Sequence, residues 1–306
     1  MTAGPAAAAP AALILIENLP APFDRRVWQE ALTLRRAGWT VSVICPKGRG
    51  WDAEDETIDG VRIFRHDLPL EAEGALGYLR EYAAALWAQA RLARRVRREV
   101  GFDVIQACNP PDLMVLTALP YKLFGGAKFV FDHHDLAPEL FEAKFGRRGL
   151  LYWLCRAAER LTFALADASI ATNETFREIA VRRGGMDPDR VRIVRSYPNL
   201  ARFRRIEPPP GLQAEGETLI GYVGIIGAQD GVDILVRAMA ALKRRGRTDL
   251  RALVIGDGPA LEACKTLAVR EDVADRVAFA GYLSGDALLG ALNAVDVGVI
   301  PDPSNP

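Results

Sequence analysis

Residues 219–259 read LIGYVGIIGAQDGVDILVRAMAALKRRGRTDLRALVIGDGP, and this stretch decides the fold class. Leu219–Val223 is a short apolar run typical of a buried strand, and glycines follow it directly. Val232–Arg244 then carries apolar residues at helical spacing, and Ala252–Ile255 is a second apolar run. Short uninterrupted strands that alternate with helices predict a parallel sheet covered on both faces.

The same alternation extends in both directions. On the N-terminal side we predict strands at Leu13–Ile16, Val41–Cys45, Val61–Phe64, Val104–Ala107, Phe129–Phe131 and Ser169–Ala171, with helices at Arg25–Ala37 and Leu76–Val100. On the C-terminal side we predict helices at Pro259–Val269 and Asp286–Ala294, with strands at Val277–Ala280 and Val297–Ile300. The fold class is therefore α/β, with two Rossmann-like lobes, a cleft between them and an incomplete second lobe.

Composition suggests where the domains begin and end. Residues 1–12 (MTAGPAAAAPAA) are predicted to be a disordered leader without the positive charge of a secretory signal. Residues 13–200 form the first domain in this interpretation. Residues 201–217 contain PPPG and little apolar sequence, which is typical of a linker, and residues 218–306 form a partial second domain.

The amino-acid balance excludes several classes of protein. Half of the residues are apolar, and 39 basic residues equal 39 acidic ones, so no overall basic field favours nucleic acid. No apolar run approaches the roughly 18 residues of a membrane span. The four widely spaced cysteines predict reduced thiols in a cytoplasmic protein and argue against structural zinc.

Ligands of open α/β sheets bind beyond the carboxyl ends of the strands, and Asp24, Arg25 and Arg26 follow the first strand. Asp24 is suited to cap the next helix, whose N-terminus favours anions. The two arginines are candidates for binding a phosphate or an acidic acceptor. A capped helix with two solvated arginines is the alternative.

The sequence DHHD at 132–135 closes the strand Phe129–Phe131. Successive side chains of a strand face opposite ways, so one histidine is expected in the cleft and the other against the sheet, which disfavours a shared metal ion. A histidine held by a carboxylate suits proton transfer or the stabilisation of positive charge. A hydrogen-bonded turn is the alternative. Asn109, after the neighbouring strand, is expected to shape the same rim.

Two glycine turns lie at strand ends of the second lobe, within Gly221–Gly231 and Ile255–Pro259. Glycines allow backbone amides to approach phosphate oxygens closely. The first segment has GxxGxxG spacing at glycines 221, 224 and 227, and not the GxGxxG of a dinucleotide site, so a dinucleotide oxidoreductase is a weaker interpretation. Asp187-Pro188-Asp189 has the form of a metal-binding DxD, but a loop is the better interpretation.

Two surfaces could rest on an anionic bilayer. One is a basic helical face formed by Arg91, Arg94, Arg95, Arg97 and Arg98. The other joins Arg147-Arg148 to the apolar and aromatic residues 150–154. Solvated arginines and core aromatics are the alternatives.

Seven segments together resemble glycosyltransferase family 4, of the GT-B architecture, and they cover nearly the whole chain. They are RRVWQEALTLRRAGWTVSVICP, FDVIQACNPPDL, FVFDHHDLAPELFEAKFGRR, ADASIATNETFREIA, GYVGIIGAQDGVDILVRAMAAL, VIGDGP and VAFAGYLSGDALLGALNAVDVGVIPD. The similarity is greatest to the bacterial subgroup that makes surface polysaccharides.

The resemblance implies transfer of a sugar from a nucleotide-sugar to an acceptor hydroxyl, with retention at the anomeric carbon and no metal or other cofactor. His134 would lie near the anomeric carbon, oriented by Asp135. The donor-binding residues would be Gly224, Ile225, Gly227, Asp257, Gly258, Tyr282 and Leu283. The acceptor side would hold Asp24, Arg25 and Asn109. The acceptor would be a sugar or a lipid-linked molecule, and the protein would work in the cytoplasm, at the inner face of the plasma membrane if it contacts lipid.

This chain departs from the family pattern in two ways. Ile225 and Asp230 stand where the family often has an arginine and a lysine that neutralise the departing diphosphate. The family's acidic segment, which holds the donor, would lie beyond Pro306, so we expect a truncated chain whose activity by itself stays open. An epimerase of nucleotide-sugars and a degenerate scaffold subunit are the alternative functions.

Overall fold

The computed structural model describes residues 9–67, 74–145, 148–198, 200 and 203–303, with the backbone alone for 74–82 and 143–145. The chain divides into two compact units, Met1–Ser196 and Tyr197–Pro306. The predicted linker 201–217 therefore falls within the second unit. Residues 1–8 of the predicted leader lie outside the described residues, whereas Ala11 and Ala12 are buried in the first strand, so the leader's predicted end at residue 12 is wrong.

The first unit contains an eight-stranded sheet in the order β3-β4-β2-β1-β5-β6-β7-β8. Within it, β3 pairs antiparallel with β4, and the other neighbours are parallel. The strands are β1 (Ala11–Leu15), β2 (Thr40–Pro46), β3 (Asp55–Ile58), β4 (Val61–His66), β5 (Val104–Cys108), β6 (Lys128–His133), β7 (Ala168–Ala171) and β8 (Val191–Ile193).

Six helices are described in this unit: α1 (Arg25–Arg36), α2 (Gly74–Glu99), α3 (Val115–Gly125), α4 (Ala137–Phe145), α5 (Leu150–Leu165) and α6 (Glu174–Arg182). Both faces of the sheet are covered. Leu13 and Leu15 belong to one core cluster, with Ala93 and Val96 of α2, whereas Ile14 packs in another cluster with Val27 of α1. This two-sided burial explains why the strands are uninterrupted apolar runs.

The second unit has a four-stranded parallel sheet in the order β11-β10-β9-β12. Its strands are β9 (Thr218–Val223), β10 (Leu250–Ile255), β11 (Val277–Gly281) and β12 (Val297–Gly298), and its helices are α7 (Val232–Arg244), α8 (Leu261–Arg270) and α9 (Gly285–Ala294). The predicted α/β class with two Rossmann-like units is confirmed. Residues 187–189 form a turn in which the Asp187 carboxylate accepts from the amide of Asp189, as the loop interpretation expected.

Candidate active site

The end of β6 sends its two histidines into different surroundings. His133 is fully buried among Phe131, Phe163 and Phe176, with ring centroids 5.3, 5.2 and 5.0 Å away. Neither of its ring nitrogens has a hydrogen-bond partner. Burial, and then the positive charge of Arg183, lower the pKa of His133 to about 3. It is therefore a neutral core residue, which confirms that the two histidines face different surroundings.

His134 lies in a polar cluster instead. Its Nε2 is 2.7 Å from Oδ2 of Asp132, and the Nε–H of Arg26 donates to the same nitrogen at 2.9 Å. Asp135 was predicted to orient this ring. That prediction is wrong, because the carboxylate in contact with the ring belongs to Asp132. Because side chains alternate along a strand, Asp132 and His134 share a face of β6.

Asp132 and His134 stabilise each other's charged forms. Burial lowers the pKa of His134, but the hydrogen bond and the charge of Asp132 outweigh it, and the pKa lies above its ordinary value. Burial likewise raises the pKa of Asp132, but hydrogen bonds and charge from His134 and Arg26 bring it below its ordinary value. An opposite charge within a few ångströms outweighs burial in this way when it also hydrogen-bonds.

Arg26 reaches this cluster from the first turn of α1. Its Nη2 is 2.9 Å from Oδ1 of Asp132 and 3.3 Å from Oε1 of Glu30, one helical turn further along. Its Nη1 donates to the carbonyl oxygen of Val194 at 2.7 Å. Arg26 was predicted to bind a phosphate or an acidic acceptor, with a solvated arginine as the alternative. In the structure its guanidinium is satisfied within the protein.

Glu30 and Gln106 complete the cluster, and sequence reasoning missed both. The Gln106 amide donates to Oε2 of Glu30 at 2.6 Å and to Oδ2 of Asp132 at 3.1 Å. Burial first, and then the charge of Asp132, raise the pKa of Glu30 to about 8. Glu30 is therefore largely protonated at neutral pH. The spacing of Arg26 and Glu30 in RRVWQE was the available signal, since residues four apart are neighbours on a helix.

Asn109 fixes the turn that carries His134. Its Oδ1 accepts from the amides of His134 and Asp135 at 2.7 and 3.2 Å, and its Nδ2 donates to Oδ1 of Asp112 and the carbonyl oxygen of Asp135. Asn109 is almost fully buried. The prediction that it shapes the same rim as 132–135 is confirmed, and its role toward an acceptor stays a prediction.

Asp24 caps α1, because its Oδ1 accepts from the amide of Val27 at 3.0 Å. Arg25 is exposed beside it. These positions agree with the capped-helix alternative, and the acceptor-side role of both residues stays a prediction.

Cys108, Asp132 and His134 bring one possible metal ligand each within 4.8 Å of one another. The guanidinium of Arg26 already contacts Asp132 and His134. A metal ion there would face that positive charge at close range, which is unfavourable in a buried site. The donor set therefore fits a hydrogen-bonded cluster better than a metal centre, and the absence of a metal requirement stays a prediction.

The two glycine turns of the second unit are joined by backbone hydrogen bonds. The amide of Gly224 donates to the carbonyl oxygen of Ile255, and the amide of Ile226 to that of Asp257. The amide of Gly227 donates to the Asp230 carboxylate at 2.8 Å. The Gly224–Gly227 loop was expected to face a diphosphate, and these three of its amides donate to groups within the protein.

Close backbone approach explains two of these glycines. Gly256 has φ +146°, and a Cβ there would overlap the carbonyl oxygen of Gly224. Gly258 has φ +159°, and a Cβ would lie 2.5 Å from the carbonyl oxygen of Ile226. Only glycine fits so near another backbone. The approaching backbone is therefore the neighbouring turn of the protein itself.

The other predicted donor-binding residues have mixed surroundings. Ile225 and Tyr282 are exposed, by 68% and 57%, whereas Leu283 packs against the core cluster that contains Leu219. The Asp257 carboxylate accepts from the amide of Gly258 at 2.7 Å. Gly224, Ile225, Gly227, Asp257, Gly258 and Tyr282 lie at the carboxyl ends of β9, β10 and β11. Their donor-binding role stays a prediction.

Solved structures that are similar to this chain include glycosyltransferases. The sucrose-phosphate synthase of Thermosynechococcus elongatus has a TM-score of 0.74 at 18% identity, over 96% of this chain and 75% of that one. The fold is thus of the GT-B type with two Rossmann-like units. The chain belongs to the glycosyl transferase 4-like domain family, whose profile matches residues 24–196, and that of glycosyl transferases group 1 matches residues 217–304.

Two curated relatives extend the comparison. The 2-deoxystreptamine glucosyltransferase of Streptomyces kanamyceticus is 28% identical over 249 residues, which cover 79% of this chain and 64% of the relative. The D-inositol 3-phosphate glycosyltransferase of Nocardia farcinica is 33% identical over 156 residues, or 47% of this chain and 34% of the relative. The chain thus spans less than two thirds of either relative. Among the described residues, no helix is both long and apolar enough to cross a membrane.

Proposed function

We propose that the protein is a retaining glycosyltransferase that moves a sugar from a nucleotide-sugar to an acceptor hydroxyl without a metal ion. The observation that carries the proposal is the cluster of His134, Asp132 and Arg26 at the carboxyl end of β6, in a chain of this family. In the reaction, the bond between the anomeric carbon and the diphosphate breaks, and its electron pair leaves with the nucleotide. The acceptor oxygen forms the new bond, and its proton passes to the departing diphosphate.

His134 is the catalytic residue in this proposal, and it contacts the donor sugar near the anomeric carbon. Positive charge develops on the sugar as the leaving group departs, and a group held beside it before the reaction stabilises that charge without reorganising. Asp132 supplies the negative charge behind the imidazole, at 2.7 Å. The charge of Arg26 balances that of Asp132, so a neutral His134 leaves this cluster without excess positive charge.

We propose that the second unit binds the donor. Because the amides of Gly224, Ile226 and Gly227 are engaged, other groups of the whole protein must meet the charge of the diphosphate. The two curated relatives are named for 2-deoxystreptamine and D-inositol 3-phosphate. Both therefore belong in the acceptor panel, beside the lipid-linked and polysaccharide acceptors that the family resemblance implies.

A transfer assay with EDTA tests the proposal. The chain, and the full-length protein if the gene continues, is incubated with UDP- and GDP-sugars and the acceptor panel. A glycosylated product whose anomeric configuration matches the donor supports the proposal. A requirement for a divalent cation, or an inverted product, contradicts it.

The same reagents separate the two alternatives. If UDP-sugars interconvert without acceptor, the protein is an epimerase of nucleotide-sugars. Calorimetry with UDP and GDP addresses the scaffold alternative, because a degenerate subunit binds neither nucleotide. The exposed Ile225 and the engaged Asp230 are the features that favour a degenerate donor site.

We also propose peripheral contact with an anionic membrane through the start of α5. Leu150, Trp153 and Leu154 are exposed there by 76%, 60% and 53%, and exposed apolar side chains next to arginines favour a lipid interface. Arg148 is the neighbouring cation, paired with Glu142, and Arg147 lies outside the described residues. The basic face of α2 is a weaker candidate, because Arg95 is paired with Asp55 and Glu99.

Co-sedimentation with vesicles tests this contact. Trp153→Ser should reduce binding to vesicles that contain phosphatidylglycerol severalfold. Ile300→Ser is the control, because Ile300 is 85% exposed in the second unit and the surrounding sequence, residues 290–303, contains no arginine. Equal binding by both variants and the unmodified chain would contradict a lipid role for α5.

A further inference from the structure

Nε2 of His134 has two contacts that cannot both be hydrogen bonds in one protonation state. Oδ2 of Asp132 lies 2.7 Å away, and Nε of Arg26 lies 2.9 Å away with its hydrogen directed at the ring. A ring nitrogen has one site in the plane, which holds either a proton or a lone pair. A proton there pairs with Asp132, and a lone pair there accepts from Arg26.

Arg26 and Asp132, the two partners of Nε2, keep their protonation states near neutral pH. The guanidinium of Arg26 is always protonated and only donates. The hydrogen bonds and charges of His134 and Arg26 hold the pKa of Asp132 below its ordinary value, so this carboxylate only accepts. The cluster therefore offers Nε2 a suitable partner before and after it loses a proton.

Arg26 itself is held firmly. It is paired with Asp132, it donates to the carbonyl oxygen of Val194, and its side chain is only 10% exposed. These two contacts, made by Nη2 and Nη1, fix the plane of the guanidinium. A planar fork fixed in this way directs its Nε–H along one line, which a lysine ammonium does not do.

We propose that Arg26 is a positioning residue for His134: its Nε–H holds the neutral imidazole through Nε2 and so places the remaining ring proton on Nδ1. This deepens the proposed function and rests on it for the catalytic consequence. The ring keeps one orientation in both protonation states, with Asp132 as the partner of the charged ring and Arg26 as the partner of the neutral one. The neutral ring then presents a defined donor, Nδ1–H.

The groups around His134 come from three elements and two flanking residues. Arg26 faces the ring from α1, with Glu30 beside Arg26, and Cys108 and Asp132 face it from β5 and β6. Asp24 caps α1, and Asp135 follows His134 and interacts with it electrostatically. Burial raises the pKa of the Cys108 thiol well above its ordinary value, and burial raises that of Glu30 to about 8. Arg26 and Asp132 are therefore the charged neighbours in contact with the ring at neutral pH.

Nitrogen-15 NMR of the histidine side chains tests the proposal on the full chain without any substrate. The chain has three histidines, and His134→Gln assigns the resonance of interest. Above the pKa of His134, we expect the proton on Nδ1 in the unmodified protein. In Arg26→Met the proton should move to Nε2, where Asp132 accepts it, and the pKa of His134 should rise because a positive neighbour is gone.

Arg26→Lys keeps the positive charge but removes the directed Nε–H of the guanidinium. It also replaces Arg26→Met as the test if that variant does not fold. It should leave the pKa of His134 near its unmodified value but give a mixture of the two neutral forms. Arg36→Lys, an exposed arginine in the last turn of α1, should change neither property. Unchanged resonances of His66 and His133 show that each variant keeps its fold.

Two results would overturn the proposal. One is a neutral His134 that carries its proton on Nε2 in the unmodified protein, and the other is the same proton position in Arg26→Met and Arg26→Lys. If the protein transfers sugar, Arg26→Lys should lower kcat about tenfold or more with KM nearly unchanged. A change in KM alone would contradict a positioning role. If no transfer is found, the proposed function fails, and the NMR result still decides what holds the ring.

Discussion

The polar cluster around His134 and the glycine turns of the second unit both lie at carboxyl ends of parallel strands, but they are built differently. In the cluster, side chains from α1, β5 and β6 hydrogen-bond to one another, so its stability depends on their charges. In the turns, backbone amides of one strand end donate to carbonyls of the next, so their stability depends on how closely the two backbones approach. The same location in a fold therefore needs different tests: a change of charge for the first region, and an added Cβ for the second.

Asp132→Leu should have the largest effect, because it removes the charge on which the cluster depends. It leaves Arg26 and His134 without their buried counter-charge, and breaking such a pair costs about 3–5 kcal/mol of stability. Chemical denaturation measures the loss. Asp52→Leu, at an exposed loop position, should change stability by no more than about 0.5 kcal/mol. Equal effects of the two substitutions would mean that the cluster is not a charge-dependent structure.

Substitutions of the two histidines should affect turnover very differently. His134→Ala should reduce turnover roughly 100-fold or more, as the loss of one positioned catalytic group does. His133→Phe should keep turnover within about threefold, because a phenyl ring suits a site already lined by Phe131, Phe163 and Phe176. The transfer assay measures both. An unchanged rate in His134→Ala would remove His134 from the mechanism.

Some of this cluster could be predicted from the sequence. The alternation of side chains along a strand correctly separated His133 from His134. The same rule places Asp132 with His134, yet the ring was assigned to Asp135 because the family resemblance implied that partner. Gln106 was out of reach, and Glu30 could be placed beside Arg26 but not beside Gln106, since that contact depends on β5 lying beside β6 and on α1 packing against that edge. Strand order is set by long-range packing, which local patterns do not encode.

The glycine turns show a different limit. The positions of β9, α7 and β10 follow from apolar periodicity, and the sequence predicted each of them to within two residues. A glycine pattern, however, reports only that something approaches the backbone. Gly256 and Gly258 are approached by the carbonyls of Gly224 and Ile226, and the sequence does not distinguish a carbonyl from a phosphate.

Gly256→Ala tests whether the close approach of the two glycine turns is required for stability. The added Cβ would overlap the carbonyl oxygen of Gly224, and the positive φ adds strain, so we expect a loss of about 2 kcal/mol or more. Gly246→Ala is the matched control, since Gly246 also has positive φ (+80°) but nothing within 4 Å of the added atom. It should cost about 1 kcal/mol.

Hydrogen exchange locates the effect. The amides of Gly224 and Ile226 donate into the neighbouring strand end, so they should exchange faster in Gly256→Ala than in Gly246→Ala. Equal protection in both variants would show that the two turns do not hold each other.

Glu30 gives the smallest expected effect and connects the cluster to pH. Its pKa is raised from an ordinary 4.5 to about 8, so between these values the folded protein holds a proton that the unfolded chain has lost. Stability therefore falls as pH rises through that window, by up to about 1.4 kcal/mol per pH unit for one group. In Glu30→Gln this contribution is absent. Denaturation at pH 6 and pH 7 should show that the unmodified protein loses about 1 kcal/mol more than Glu30→Gln over this step.

Asp112, whose pKa burial raises to about 7, contributes to both proteins and cancels in the difference. Glu178→Gln, at an exposed position of α6, should follow the unmodified protein. If Glu30→Gln follows it too, Glu30 is ionised in the folded state, and the cluster carries one more negative charge than its contacts imply.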